Sequence, residues 1–324
     1  MRTSVRRVAV TLAAVLPGLA AVAGVQAATF PEKPITLVVH AGAGGGSDIF
    51  ARTLAAAFEK EKILHQPIVV ENKPGGSGAI SFAYVAGKKK DPYFLLTAVT
   101  SFLTTPILRK SQITYKDFTP IANFAFDEYM VIVRAESKYK SMKDIVADAK
   151  ANPKKLTVGG TQLGSSDSIC AYLIEKAAGI QLNYIVFNSG GEVNAAIMGG
   201  HIDIAVANPG EALELAKAKK VRTLGVFSEK RLSGAPDVPT LKEQGLDAVY
   251  VQNRGLVAPD GIPEEARKTL EEALLKYTKT DIYKKYVQDN MLSEAWMDGP
   301  TFGKWMDKEH ARYQEVLKEM GLLK

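Results

Sequence analysis

Four glycines in five positions, Gly42-Ala43-Gly44-Gly45-Gly46, lead into Ser47 and Asp48. Glycines let a backbone come close to a bound group and take positive φ. Ser47 or Asp48 can cap a helix beginning there, and the amides and dipole of a helix start attract an anion. The chemistry this spacing allows is anion holding, with Gly44, Gly45, Gly46, Ser47 and Asp48 as contacts. A Walker-type phosphate loop is excluded, because no Gly-Lys-Ser/Thr follows. A dinucleotide fingerprint is matched in part. Gly42-x-Gly44 has the first spacing, position 47 holds Ser where the third glycine belongs, and Glu71 stands where a ribose-binding acid would. An exported dinucleotide-binding enzyme therefore stays open as an alternative.

The same design recurs. Asn72-Lys73-Pro74-Gly75-Gly76-Ser77-Gly78 is a second glycine loop, readable as a cleft wall or as a flexible turn. Gly160-Thr161-Gln162-Leu163-Gly164-Ser165-Ser166-Asp167 offers Thr161, Gly164, Ser165 and Ser166. Ser166 or Asp167 is also readable as a plain N-cap. Asn188-Ser189-Gly190-Gly191-Glu192 offers Ser189 and Gly190, and Asn208-Pro209-Gly210-Glu211 offers Asn208. Thr100 and Ser101 join the candidates. Arg254, in Tyr250-Val251-Gln252-Asn253-Arg254-Gly255, is readable as a fork for a carboxylate or as a surface arginine. No catalytic residues are nominated. His40, His65, His201 and His310 fall in no zinc pattern. Gly75-Gly76-Ser77-Gly78-Ala79 ends in Ala, so it is no nucleophile elbow. No metal and no cofactor are expected.

Elements must carry these loops. Apolar runs at residues 35–40, 67–71 and 93–97 alternate with helical patterns at 49–60 and 79–86. That order predicts a parallel sheet. A second series has strands at 131–134, 156–159, 183–187, 202–207 and 223–227, with helices at 142–151, 168–178, 193–198 and 211–218. Gly179 is a good C-cap for the 168–178 helix. A strand at 255–258 precedes helices at 266–277, 282–289 and 301–320. The last three helices are expected to return to the first unit without a strand among them. Ligands in open α/β sheets bind beyond the carboxyl ends of strands, so two such units place the loops along one cleft.

The N-terminus reads as a cleavable secretory signal over residues 1–27. It carries Arg2, Arg6 and Arg7, then an Ala-rich apolar run interrupted by Pro17 and closed by Val25-Gln26-Ala27. The protein is therefore expected in the periplasm. Removing those three arginines takes 41 Lys+Arg to 38, against 35 Asp+Glu. The remaining basic residues are scattered, which argues against nucleic acid. Cys170 is the one cysteine, so no internal disulfide forms, and it is expected to be buried. Roughly 297 residues remain, enough for a substantial core.

Several stretches resemble one family. They are Phe30-Pro31-Glu32-Lys33-Pro34-Ile35, the 42–48 loop, Val70-Glu71-Asn72-Lys73-Pro74-Gly75-Gly76 and Lys116-Asp117-Phe118-Thr119-Pro120-Ile121-Ala122. Gly199-Gly200-His201-Ile202-Asp203, Pro236-Asp237-Val238-Pro239-Thr240 and Asn253-Arg254-Gly255-Leu256-Val257-Ala258-Pro259 continue the pattern in order. Together they resemble the tripartite tricarboxylate transporter substrate-binding proteins, also called the Bug family. The resemblance implies an α/β, two-lobed type II periplasmic binding protein fold with a hinge and an interlobe cleft. Lobe I would hold residues 28–128 plus 253–324, and lobe II residues 129–252. It implies a monomer that binds a small organic acid, di- or tricarboxylates favoured, and hands it to integral-membrane transporter subunits. One carboxylate would lie between Gly45, Gly46, Ser47 and Asp48 on one side and Thr161, Gly164, Ser165 and Ser166 on the other. Ser168, Asn188, Ala207 and Asn253 depart from the family pattern, which holds His, a basic residue, Asp and Trp there. Gly190-Gly191-Glu192 and Arg254 are similar to the tricarboxylate-type branch. A ligand sensor for a signalling system is the second alternative.

Overall fold

The computed structural model describes residues 30–323, so the signal expected over residues 1–27 lies outside the described residues. The first strand, β1 (Ile35–Val39), is almost wholly buried, as befits an apolar run with helices on both faces. Helix α1 (Gly46–Lys60) follows and buries Phe50, Leu54, Ala57 and Phe58, a stripe at helical spacing. Next come β2 (Ile68–Asn72), α2 (Ala79–Ala86), β3 (Phe94–Ala98), α3 (Thr100–Arg109) and β4 (Phe118–Glu128). The middle of the chain holds β5 (Met130–Arg134), α4 (Met142–Ala151), β6 (Thr157–Gly160), α5 (Ser166–Ala178), β7 (Asn183–Val186) and α6 (Gly190–Met198). It continues with β8 (Ile204–Ala207), α7 (Pro209–Lys217) and β9 (Val221–Val226). The remainder is β10 (Val251–Pro259), α8 (Glu264–Tyr277), α9 (Asp281–Asp289), β11 (Ser293–Asp298) and α10 (Gly299–Glu319).

These strands form two sheets, ordered β11-β4-β10-β3-β1-β2 and β7-β6-β8-β5-β9. The α/β class expected from the alternating pattern is what the chain adopts. The parallel pairing expected of the first three strands is what forms, and the sheet also takes in antiparallel strands that the expectation left out. β1 pairs parallel with β2 and β3, but β10 enters antiparallel between β3 and β4, and β11 pairs antiparallel with β4. The reason is the return of the chain: β9 belongs to the second sheet and β10 to the first. A second crossing occurs at Tyr129, between β4 and β5.

The C-terminal segment is corrected, since β11 interrupts its helices. Helix α3 was absent from the periodicity reading. Its Thr100, Thr104, Thr105 and Pro106 are poor helix formers, and burial of residues 100–106 overrides that preference. One hydrophobic cluster joins elements of both sheets, with Phe102 of α3 and Phe302, Met306 and Tyr313 of α10 beside Val131, Val158 and Ile169. Cys170 lies in that cluster, fully buried. Gly179 closes α5 in the left-handed region, φ 62°. Among the described residues no helix is long and apolar enough to cross a membrane.

Candidate functional site

Loops from the two sheets share the wall of one cavity of about 680 Å³, a size suited to a small-molecule ligand. From the first sheet come residues 40–47, after β1, and the turn 74–78, after β2. From the second come Thr161, Gln162, Ser165, Ser166 and Asp167 after β6, residues 186–191 around the start of α6, and Asn208 after β8. These are the carboxyl ends of parallel strands, where such folds gather their ligands.

The 42–46 loop is trussed from outside the cavity. Asp48 Oδ2 accepts from the Gly44 amide at 2.9 Å and from Arg52 Nε at 3.0 Å, and Asp48 Oδ1 accepts from Asn72 Nδ2 at 2.9 Å. Burial alone would raise the Asp48 carboxyl, but Arg52, the Gly44 amide and Asn72 outweigh it and hold it below its ordinary range. Helix α1 starts at Gly46 with Gly45 as its N-cap, and no side chain caps it. This corrects the cap expected from Ser47 or Asp48. A β-carbon on Gly46 would sit 2.6 Å from Arg254 Nη2, so only glycine lets the guanidinium lie against the loop.

The second wall is capped by its own hydroxyls. Ser165 is the N-cap of α5 and accepts from the Ser168 amide, in place of the Ser166 or Asp167 expected. Ser189 caps α6 by accepting from the Glu192 amide. Asp167 Oδ2 accepts from the Thr161 amide at 2.6 Å. Burial pushes its carboxyl up, against the pull of that amide.

Arg254 is 4% exposed and pairs with the equally buried Asp127. Asn208 Nδ2 donates to the same Asp127 oxygen at 2.8 Å. Burial raises the Asp127 carboxyl, with Arg254 pulling the other way; for Arg254, burial lowers the guanidinium and Asp127 more than restores it. The pair is a compensated charge. Burial, with the Arg254 charge beside it, brings His40 down to about 4. His40 is thus neutral at pH 7, with Nδ1 2.9 Å from Thr97 Oγ1.

Of the sequence candidates, the structure brings Gly44, Gly45, Gly46, Ser47 and Ser101 to the cavity from one side, and Thr161, Ser165, Ser166, Ser189, Gly190 and Asn208 from the other, with Arg254 between. Asp48, Thr100 and Gly164 do not line it. Asp48 holds the loop from behind. Thr100 joins a buried hydroxyl cluster, 2.6 Å from Tyr250 OH. Gly164 offers its carbonyl to Thr104 Oγ1 at 2.7 Å. Lining residues that the sequence reading missed are His40, Arg109, Tyr129 and Gln252. Gln252 was within reach, because strand alternation puts it on the face of Arg254. Glu71 does not line the cavity and pairs with Lys73 at 2.7 Å, which removes the acid that the dinucleotide reading required. Among the described residues no cluster of His, Cys, Asp or Glu suits a metal.

Residues 50–322 match the model of the tripartite tricarboxylate transporter family receptor. The chain belongs to this family. A relative named "UPF0065 protein in gbd 5'region", from Cupriavidus necator, is 32% identical over 327 residues, covering 100% of this chain and 98% of that protein. Among solved structures, a TctC solute binding protein from Polaromonas, without ligand, is 32% identical with a TM-score of 0.70, covering 90% of this chain and 100% of that one. Periplasmic binding protein BugD has a TM-score of 0.84 at 24% identity, covering 91% and 99%, and so attests the fold. The receptors of this family and its structural relatives are solute-binding proteins, not enzymes.

Proposed function

We propose that this receptor captures a small organic carboxylate, di- or tricarboxylates favoured, in the periplasm and delivers it to membrane transporter components. The observation that carries the reading is the cavity wall: helix starts and glycine turns contributed by both sheets. Backbone amides at helix starts suit an anion. Gly44, Gly45, Gly46 and Ser47 would hold a carboxylate from one side, and Thr161, Ser165 and Ser166 from the other. Ser101, Ser189, Gly190 and Asn208 would shape the rest of the ligand's surroundings. Residues 28–128 with 253–324, and 129–252, would act as two lobes hinged where the chain crosses near Tyr129 and before β10. Ligand contacts to both would shift the population toward closure. Residues 1–27 would direct export and then be removed.

Thermal unfolding and calorimetry with a panel of organic acids test the reading. One acid at 100 times its Kd is expected to stabilise the protein by about 2.7 kcal/mol. Stabilisation by a sugar or a metal ion, with none by any carboxylate, overturns it.

A further inference from the structure

Two arginines line the cavity, and they differ in charge balance. Arg254 is buried and its charge is met by Asp127. Arg109, the last residue of α3, has an exposed side chain, and no acid pairs with it among the described residues. An anion entering the cavity therefore finds its uncompensated cation at Arg109.

The sequence of α3 aims this cation. Ser101, Thr105 and Arg109 are four apart, so they share one helix face. The rise along that face from Ser101 to Arg109 is about 12 Å. Ser101 lines the cavity, and its hydroxyl is buried without a hydrogen-bond partner. Thr105 Oγ1 donates to the Ser77 carbonyl at 2.9 Å and fastens the 75–78 turn to the helix. A β-carbon on Gly76 would lie 3.7 Å from Arg109 Nη2. Because positions 75, 76 and 78 are glycine, no side chain from them covers the guanidinium. The neighbouring Thr104 Oγ1 donates to the Gly164 carbonyl, in the loop after β6 of the second sheet, at 2.7 Å. Helix α3 thus touches loops of both sheets and carries Arg109 at the margin where they meet.

We propose that Arg109 receives the second anionic group of a ligand whose first carboxylate sits at the 44–47 loop. The receptor would then select a dicarboxylate over the monocarboxylate of equal chain length. This rests on the carboxylate reading above. A guanidinium is suited to the task, since its fork meets a carboxylate bidentately.

Calorimetry with matched pairs, butyrate with succinate and hexanoate with adipate, tests the assignment in the wild type, Arg109→Gln and Arg109→Lys. The wild type is expected to favour the diacid of at least one pair by about tenfold or more. Arg109→Gln should abolish most of that preference, leave monoacid affinity within about twofold and keep the melting temperature. Arg109→Lys should retain part of the preference, because charge survives and the fork does not. Undiminished diacid preference in Arg109→Gln overturns the role of Arg109 and leaves the carboxylate reading standing. Equal binding of both members of each pair by the wild type does the same. A wild type that binds no member of either pair, and no acid of the wider panel, overturns both.

Discussion

Two of the polar contacts that join the sheets are built from different chemistry. One is charged: Asn208 after β8 donates to Asp127 of β4, which pairs with Arg254 of β10. The other is neutral. Ser166 Oγ, at the start of α5, lies 2.7 Å from Gln252 Oε1 and 3.0 Å from Thr100 Oγ1 and Tyr250 OH. Tyr313 of α10 closes that cluster, 3.2 Å from Tyr250 OH. Charges in a dry interior are held by few partners and suffer when one is removed. Hydroxyls both donate and accept, so a cluster can redistribute. The charged contact is thus the rigid one and the neutral contact the tolerant one.

The largest effect is expected where the charged contact is cut. Arg254→Ala leaves Asp127 buried, with Asp127 Oδ1 already lacking a partner. Loss of about 3–5 kcal/mol is expected, read from urea unfolding. Replacing both partners, Arg254→Met with Asp127→Leu, should return much of it. A single variant within about 1 kcal/mol of wild type would show the pair to be solvated, and the contrast between the two contacts would collapse.

The charged side should also make stability depend on pH. Glu128 adjoins Asp127 and is raised from 4.5 to about 7, chiefly by burial, with Ser293 opposing and the Asp127 charge adding to the rise. The folded chain keeps this proton up to about pH 7, whereas the unfolded chain releases it near 4.5. Stability from this group is complete below 4.5, falls as pH rises through that window by up to about 1.4 kcal/mol per unit, and levels above it. Glu128→Gln should flatten that part of the profile in denaturant titrations at pH 4.5 to 8. An unchanged slope would mean that Glu128 is ionised when folded.

The difference between the two contacts also marks what could be read in the chain. The loops were legible because glycine and small hydroxyl residues cluster after apolar runs, and those runs became β1, β2, β6 and β8. Arg254 was legible as a candidate fork for a carboxylate, but its partner was not. Asp127 lies 127 positions away, and only the antiparallel register of β10 on β4 brings the strands together. Arg109 was hidden for another reason, and Thr100, though a candidate, was not placed on a helix. Their helix is rich in threonine and holds a proline, so local preference argues against it, and burial decides. The hydroxyl cluster draws on α3, α5, β10 and α10, and no spacing along the chain announces such a meeting.

The smallest effect belongs to the neutral contact. Ser166→Ala removes one donor, yet Gln252 Oε1 keeps Tyr129 OH at 3.2 Å. Thr100, Tyr250 and Tyr313 still have one another, at 2.6, 3.3 and 3.2 Å. No buried group is stranded, so the loss should be near that of one ordinary hydrogen bond, about 1 kcal/mol. Thr100→Val keeps the shape and should lose a similar amount, and the double variant less than the sum, because the two hydroxyls share one cluster. A loss from Ser166→Ala as large as that from Arg254→Ala would refute the contrast, since it would mean that a neutral network stores as much as a buried ion pair.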